Sequence, residues 1–137
     1  MKTTSRTAEF QSLGIFRDFI EAMCKDHPQV DEQILYDLKL VTDEACTNII
    51  TYGYAGTHSG SITLGCELNE EYVRLEITDF GKPFRLSEPQ KPDIMACLEN
   101  GTAGGFGLYF VYQMMDEVNY ETSEDGNCLV LIKKLEK

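Results

Sequence analysis

Apolar residues recur at the spacing of amphipathic helices in the first third of the chain. They predict a first helix from about residue 9 to about residue 25, with this apolar stripe: Leu13, Phe16, Ile20 and Met23. A second helix is predicted to begin at Asp31, as its N-cap, and to fade near Tyr52, with this stripe: Ile34, Leu38, Val41, Ala45 and Ile49. The first few residues are expected to be loose.

Alternation of apolar and polar residues predicts four strands in two hairpins. Strands 62–68 and 73–79 are joined by the loop 69–71, and strands 118–122 and 128–135 by an Asp125-Gly126 turn. Asp79 is the last residue on the apolar face of its strand, which is an unusual place for a carboxylate. The alternative is an ordinary strand-end aspartate that caps the following turn.

Residues 80–103 lie between the hairpins without a strong period and hold three of the four prolines. They are compatible with a short helix at 93–98, and loops of this length in a compact domain are usually functional lids or binding loops. Gly104, Gly105 and Gly107 then lead into residues 108–115, an apolar run that predicts a buried helix.

The elements therefore follow the order helix, helix, hairpin, lid, helix, hairpin. This order favours an α+β fold, a two-layer α/β sandwich in which a mostly antiparallel mixed sheet carries the helices on one face. The 137 residues are expected to form a single domain with one hydrophobic core.

The net charge of −11 argues against direct nucleic-acid binding through phosphates. A polyphosphate ligand would need a cation, main-chain N–H groups or helix dipoles to offset repulsion. No apolar run reaches transmembrane length and no signal peptide is recognised, so a cytoplasmic protein that does not bind membranes is expected. The five cysteines show no zinc-like spacing, and three are expected to be reduced core thiols: Cys46, Cys66 and Cys128.

Glu44 and Asn48 lie one helical turn apart on one edge of the second helix's apolar stripe. Polar groups there are costly to bury unless they form hydrogen bonds or contact a ligand. A glutamate that can act as a base and an asparagine that can ligate a hard cation indicate a Mg-nucleotide site. Two solvated residues on a helix edge are the alternative.

The glycine-rich loop before the third helix is a second candidate site. Glycines let the backbone approach an anion closely, and the helix N-terminus offers free N–H groups, so phosphates can bind without basic side chains. The loop is neither a Walker A motif nor a Rossmann fingerprint, because no Gly-Lys-Ser/Thr follows it and no strand immediately precedes it. A flexible loop with a helix-entry glycine is the alternative.

Three motifs in this order resemble the N, G1 and G2 boxes of the GHKL ATPase superfamily: Glu44-x-x-x-Asn48, Asp79-x-Gly81-x-Pro83-Phe84 and Gly104-Gly105-x-Gly107-Leu108. The closer resemblance, over nearly the whole chain, is to the small bacterial anti-sigma factor serine/threonine kinases. It implies the GHKL (histidine-kinase-like ATPase) type of sandwich, with an ATP lid at about residues 80–104.

The resemblance also implies a role for each motif. Glu44 would be the general base for a substrate hydroxyl, and Asn48 would ligate Mg²⁺ bridging the ATP phosphates. Asp79 would accept a hydrogen bond from the adenine amino group, and Gly81 would leave space for the base. Gly104, Gly105 and Gly107 would let the lid hinge and close over the triphosphate. These three glycines and Leu108, the G2 residues, would belong to the cofactor-binding set.

The implied activity is that of an ATP-dependent serine/threonine protein kinase and anti-sigma factor, in a family whose members are typically homodimers. It would phosphorylate a STAS-type anti-anti-sigma protein in a partner-switching module that includes a sigma factor. The alternative is a nucleotide-binding regulator that sequesters a partner without significant kinase activity, which Glu44 disfavours because a pure binder needs no base. A histidine kinase is less supported, since only His27 and His58 are present and no phosphoacceptor helix is recognised.

Overall fold

The computed structural model describes residues 1–56, 60–83 and 111–135. Five strands form one sheet in the order β1-β2-β3-β5-β4, and every pairing between them is antiparallel. In chain order the elements are β1 (Lys2–Thr7), α1 (Ser12–Cys24), α2 (Glu32–Asn48), β2 (Ser61–Leu68), β3 (Tyr72–Asp79), β4 (Glu117–Ser123) and β5 (Gly126–Lys134). α2 continues directly into one wider π-helical turn, Ile49–Gly53.

Both predicted long helices are present, and each buries the stripe that its sequence pattern indicates. α1 turns Phe16 and Ile20 fully inward, and α2 does the same with Leu38 and Ala45. The predicted N-cap of α2 is confirmed, because the Asp31 carboxylate accepts a hydrogen bond from the Ile34 N–H at 2.8 Å. The helices thus present one apolar face to the sheet.

Both predicted hairpins are present as well, and their inward-facing residues form the other half of the core. β3 alternates buried and half-buried positions along its whole length, with Val73, Leu75 and Ile77 fully buried. The matching inward positions of β2 and β5 are also buried: Ile62, Leu64, Cys66, Leu129 and Leu131. This packing of two helices on one face of a sheet confirms the predicted α+β two-layer fold. The sheet of the described residues is antiparallel throughout rather than mixed.

The expectation of a loose N-terminus is wrong. Residues 2–7 form β1, which pairs with β2 from Lys2 opposite Cys66 to Thr7 opposite Ser61. β1 is an edge strand whose side chains are exposed apart from the half-buried Thr4. Main-chain hydrogen bonds rather than buried side chains hold it, so it leaves no apolar alternation in the sequence.

The expectation for Cys128 also needs correction. Cys46 and Cys66 are buried as predicted, whereas Cys128 is only partly buried. The alternation of β5 places Asn127 and Leu129 on the core face, so Cys128 lies on the opposite face of the sheet, across from Thr78. Burial raises the pKa of both the Cys46 and the Cys66 thiol to about 12, which keeps them protonated.

Much of the predicted lid and the glycine loop fall outside the described residues. Two predictions therefore lie outside the described residues. They are the short helix at 93–98 and the G2 residues: Gly104, Gly105, Gly107 and Leu108. Of the third helix, residues 111–114 are described and are helical, and both Val111 and Met115 are buried as the apolar run predicts. Within the described ranges, no helix is long and apolar enough to cross a membrane.

Candidate functional site

The candidate site lies where the end of α2 meets the end of β3. Lys82 donates its N–H to the Gly53 carbonyl at 2.6 Å, which ties the turn after β3 to the last turn of the helix. A Cβ atom at Gly81 would lie only 2.5 Å from the Gly53 carbonyl oxygen, so this approach requires glycine. A Cβ atom at Gly53 would lie 3.9 Å from Oδ1 of Asp79, so the helix end lies against that carboxylate.

Asp79 is the central polar group of the site. It is 1% exposed, at the last position of β3, with its side chain on the core face. Burial raises the pKa of its carboxyl group, and hydrogen bonds from Asn127 and from the Gly81 N–H offset part of the rise. Both donors bind Oδ1, at 3.0 Å and 2.9 Å. Within the described part of the chain, Oδ2 therefore has no donor and can accept a hydrogen bond from a ligand.

Asn127 is a site residue that sequence reasoning missed. It is 3% exposed and lies directly opposite Asp79 in the pairing of β3 with β5. Its Nδ2 donates to Asp79 Oδ1 and, at 2.8 Å, to the Gly81 carbonyl. One amide group thus fixes both the carboxylate and the turn that follows it. The available signal was the alternation of β5, which places a polar residue on the core face at position 127.

Tyr54 connects the same region to β2. Its hydroxyl group accepts the Phe80 N–H at 2.9 Å and donates to the Ser61 carbonyl at 2.8 Å. The phenol therefore joins the residue after Asp79 to the first residue of β2. The sequence pattern does not predict this hydrogen-bonding role.

Glu44 and Asn48 lie on consecutive turns of α2, as the sequence indicates. Glu44 is half-buried, and burial together with the neighbouring Asp43 carboxylate raises the pKa of its side chain. Asp43 itself is paired with Arg17 of α1 at 2.9 Å and 3.0 Å. A half-buried carboxylate with a raised pKa is a better proton acceptor than an exposed one, which suits a general base.

Asn48 is 6% exposed, and its Nδ2 has no hydrogen-bond partner among the residues that the structure describes. Leaving a buried amide unpaired costs about 1–3 kcal/mol. A phosphate oxygen or a metal-bound water at this position would satisfy it, and the side-chain oxygen is a hard ligand of the kind that Mg²⁺ prefers. The residues present therefore fit a magnesium-nucleotide complex.

The chain also matches a known family of domains. The sequence profile described as "Histidine kinase-like ATPase domain" matches residues 7–133. That range contains every element except most of β1 and the last residue of β5, together with all the candidate site residues.

Three curated bacterial proteins illustrate the relatives of this chain. A protein named serine-protein kinase RsbW from Oceanobacillus iheyensis is 32% identical over 60% of this chain and 54% of its own length, so the match spans about half of that relative. An anti-sigma F factor from Anoxybacillus flavithermus is 32% identical over 80% of this chain and 75% of its own length. The serine/threonine-protein kinase BtrW from Bordetella bronchiseptica is 26% identical over 72% and 70%.

A solved structure shows the same fold. The histidine kinase domain of a blue-light activated histidine kinase from Erythrobacter litoralis superposes with a TM-score of 0.57. The match covers 92% of this chain and 60% of that one, at 15% sequence identity. At this identity the likeness concerns the fold alone.

Proposed function

The chain belongs to the family of histidine kinase-like ATPase domains, and from this premise we propose that it is an ATP-dependent serine/threonine protein kinase and anti-sigma factor. In this proposal it phosphorylates a STAS-type anti-anti-sigma protein in a partner-switching module. The names of the relatives support the class of activity: two are called kinases and one an anti-sigma F factor.

The observation that carries the proposal is the buried Asp79 carboxylate, fixed through Oδ1 with Oδ2 left without a donor among the described residues. Both hydrogen bonds to the carboxylate go to Oδ1, so Oδ2 can accept one from a ligand donor. The adenine amino group of ATP is such a donor. Gly81 lies directly beside this carboxylate, but the Gly53 carbonyl fills the space where its side chain would lie. In this structure the glycine therefore holds the turn against the helix end rather than leaving space for the base.

The phosphates are placed at the other polar residues of α2. Asn48 would hold Mg²⁺, which would supply charge neutralisation in a site where Asp43 and Glu44 repel a triphosphate. We further propose that Gly104, Gly105 and Gly107 let the lid, about residues 80–104, hinge, and that these glycines together with Leu108 bind the nucleotide, the glycine-rich loop through main-chain N–H groups.

Glu44 acts as the general base for phosphoryl transfer. It takes the proton of the substrate serine or threonine hydroxyl while that oxygen forms a bond to the γ-phosphorus. The bond from the γ-phosphorus to the bridging oxygen breaks, and ADP leaves with that oxygen. The raised pKa of Glu44 brings its basicity closer to what this transfer needs.

The partners follow from the same premise. The substrate is a STAS-domain protein, the second partner is a sigma factor that the unphosphorylated STAS protein releases, and the kinase works as a homodimer. The anti-sigma F factor among the relatives supports a sigma factor partner. The homodimer rests on the resemblance to the anti-sigma factor kinases.

The test combines binding and transfer. Calorimetry should show ATP binding that Mg²⁺ strengthens and that Asp79→Asn weakens by at least about tenfold, while Asp26→Asn, the same change in the exposed loop between the helices, has no effect. Glu44→Gln should retain ATP binding but lose transfer of labelled γ-phosphate to a purified STAS-domain protein. Transfer by Glu44→Gln at the wild-type rate would contradict the assigned base. ATP binding with no transfer by the wild type would favour the nucleotide-binding regulator.

A further inference from the structure

A groove of about 560 Å³ lies between the last turns of α1 and the first turn of α2. It is remote from the candidate nucleotide site, because Glu32 at the groove and Glu44 are 12 residues apart on one helix, or about 18 Å at 1.5 Å per residue. Part of its lining is apolar, formed by Ala22 and the half-buried Val30 and Leu35, with the buried Cys24.

The remainder of the lining is strongly acidic. Four carboxylates and one ammonium group border the groove: Asp18, Glu21, Asp31, Glu32 and Lys25. Two of the carboxylates already have partners, since Glu21 lies 3.5 Å from Lys39 and Asp31 caps α2. Asp18 and Glu32 are exposed and form no ion pair with any residue in the described ranges. The groove therefore offers uncompensated negative charge next to apolar surface.

We propose that this groove docks a cationic amphipathic segment of another protein. Lysine or arginine side chains of that segment pair with Asp18 and Glu32, and an apolar side chain packs against Val30 and Leu35. Charge complementarity supports this occupant over others, because the acidic rim repels nucleic acid and anionic lipid. A second copy of this chain is also poorly matched, since it carries 23 acidic and 12 basic residues.

The docking site is separate from the proposed phosphoryl transfer. An occupant of the groove leaves the Asp79 region open, so it can bind together with nucleotide. The proposal therefore stands or fails independently of whether Glu44 acts as a base.

The probe is a fluorescent helical peptide of about 12 residues, about 18 Å long, made of lysine and leucine with the leucines on one face. The full chain is titrated into the peptide at physiological ionic strength, and the rise in the fluorescence anisotropy of the peptide gives the affinity of the protein for it. Asp18→Asn/Glu32→Gln should weaken binding by about fivefold, the effect of losing two exposed ion pairs. Ala22→Phe should also weaken it, because the ring fills the groove without changing the charge.

The matched control is Glu117→Gln/Glu121→Gln, which makes the same charge change on exposed residues of β4, on the face of the sheet away from the helices. It should leave peptide affinity unchanged. Thermal unfolding midpoints and ATP affinity of all variants should match the wild type. A variant that unfolds early is replaced by the single changes Asp18→Asn and Glu32→Gln, each of which should weaken binding by about twofold.

Four results would overturn the proposal. Equal losses in the groove and control variants would mean a general attraction to an acidic protein. Equal binding of a peptide with serine in place of leucine would mean that the apolar lining is not used. Competition by spermidine as strong as by the peptide would identify a small polycation site. Self-association that Asp18→Asn/Glu32→Gln abolishes would make the groove a contact between copies of this chain.

Discussion

Asn127 donates a hydrogen bond to Oδ1 of Asp79 at 3.0 Å, although the two residues are 48 positions apart in the chain. The contact exists because β3 and β5 pair in the register that sets Asp79 opposite Asn127. It determines that Oδ1 of Asp79 already accepts a hydrogen bond and that Oδ2 is left to accept one from a ligand. The orientation of the proposed adenine contact is thus fixed by a strand from the other end of the chain.

Replacing Asn127 with leucine removes the donor to Asp79 and the donor to the Gly81 carbonyl. We expect the free energy of unfolding to fall by about 1–3 kcal/mol, because buried acceptors lose their partners. ATP affinity should fall by about tenfold, because only the Gly81 N–H then orients the Asp79 carboxylate. Urea denaturation and calorimetry measure these effects. Asn119→Leu, on the exposed surface of β4, is the control, and equal effects at both positions would argue against a positioning role.

Replacing Gly81 with alanine places a methyl group 2.5 Å from the Gly53 carbonyl oxygen. We expect a loss of about 1–3 kcal/mol in stability, together with weaker ATP binding, because the turn after Asp79 must move. Gly14→Ala is a control in which the change in stability is expected to have the opposite sign. The new methyl group there meets only Arg17 Nη2 at 3.6 Å in the first turn of α1, so stability should rise by up to about 0.5–1 kcal/mol. Chemical denaturation of both variants decides the matter, and a stable Gly81→Ala protein would refute the close approach.

Replacing Tyr54 with phenylalanine removes a hydroxyl group that bonds both Phe80 and Ser61. We expect unfolding to become easier by about 1–3 kcal/mol, because a main-chain N–H and a carbonyl lose their partner. Tyr36→Phe is the matched control, since Tyr36 is 60% exposed and its hydroxyl can bond to water. Thermal and urea unfolding should separate the two variants, and an unaffected Tyr54→Phe protein would show that water replaces the hydroxyl without cost.

The Asp79 carboxyl group should make the folded protein less stable as pH rises. Its pKa is raised in the folded state above the ordinary value of 3.8, so the folded protein binds this proton more tightly than the unfolded chain does. Its stabilising contribution is fully present below pH 3.8 and is lost as pH rises through the folded-state pKa. We therefore expect Asp79→Asn to be more stable than the wild type at pH 7, although it binds ATP more weakly.

Urea denaturation between pH 4 and pH 8 tests this expectation. The difference in unfolding free energy between Asp79→Asn and the wild type should grow as pH rises through the folded-state pKa and then level off. Asp26→Asn, at an exposed position, should show no such trend. A wild type that is more stable than Asp79→Asn at neutral pH would mean that hydrogen bonds outweigh burial at this carboxylate.

Local patterns were enough to predict both helices, both hairpins and the unusual inward position of Asp79. α2 could be placed because its apolar stripe and the Asp31 cap are both visible within a few residues. β1 could not, because an exposed edge strand is held by main-chain bonds that leave no side-chain signature. Asn127 could not be connected with Asp79, because their contact depends on which strands pair across the sheet, and that is decided by tertiary packing.

The approach of Gly53 to Gly81 sets a condition for grafting this site onto another scaffold. A designer who copies only the carboxylate and its asparagine would also need two backbone segments, 28 positions apart in this chain, that approach too closely for a Cβ atom at the Gly81 position. Most host proteins carry side chains at such crossings. Transplantation should therefore begin with the choice of a host in which a helix end and a strand end already make such a contact at a glycine.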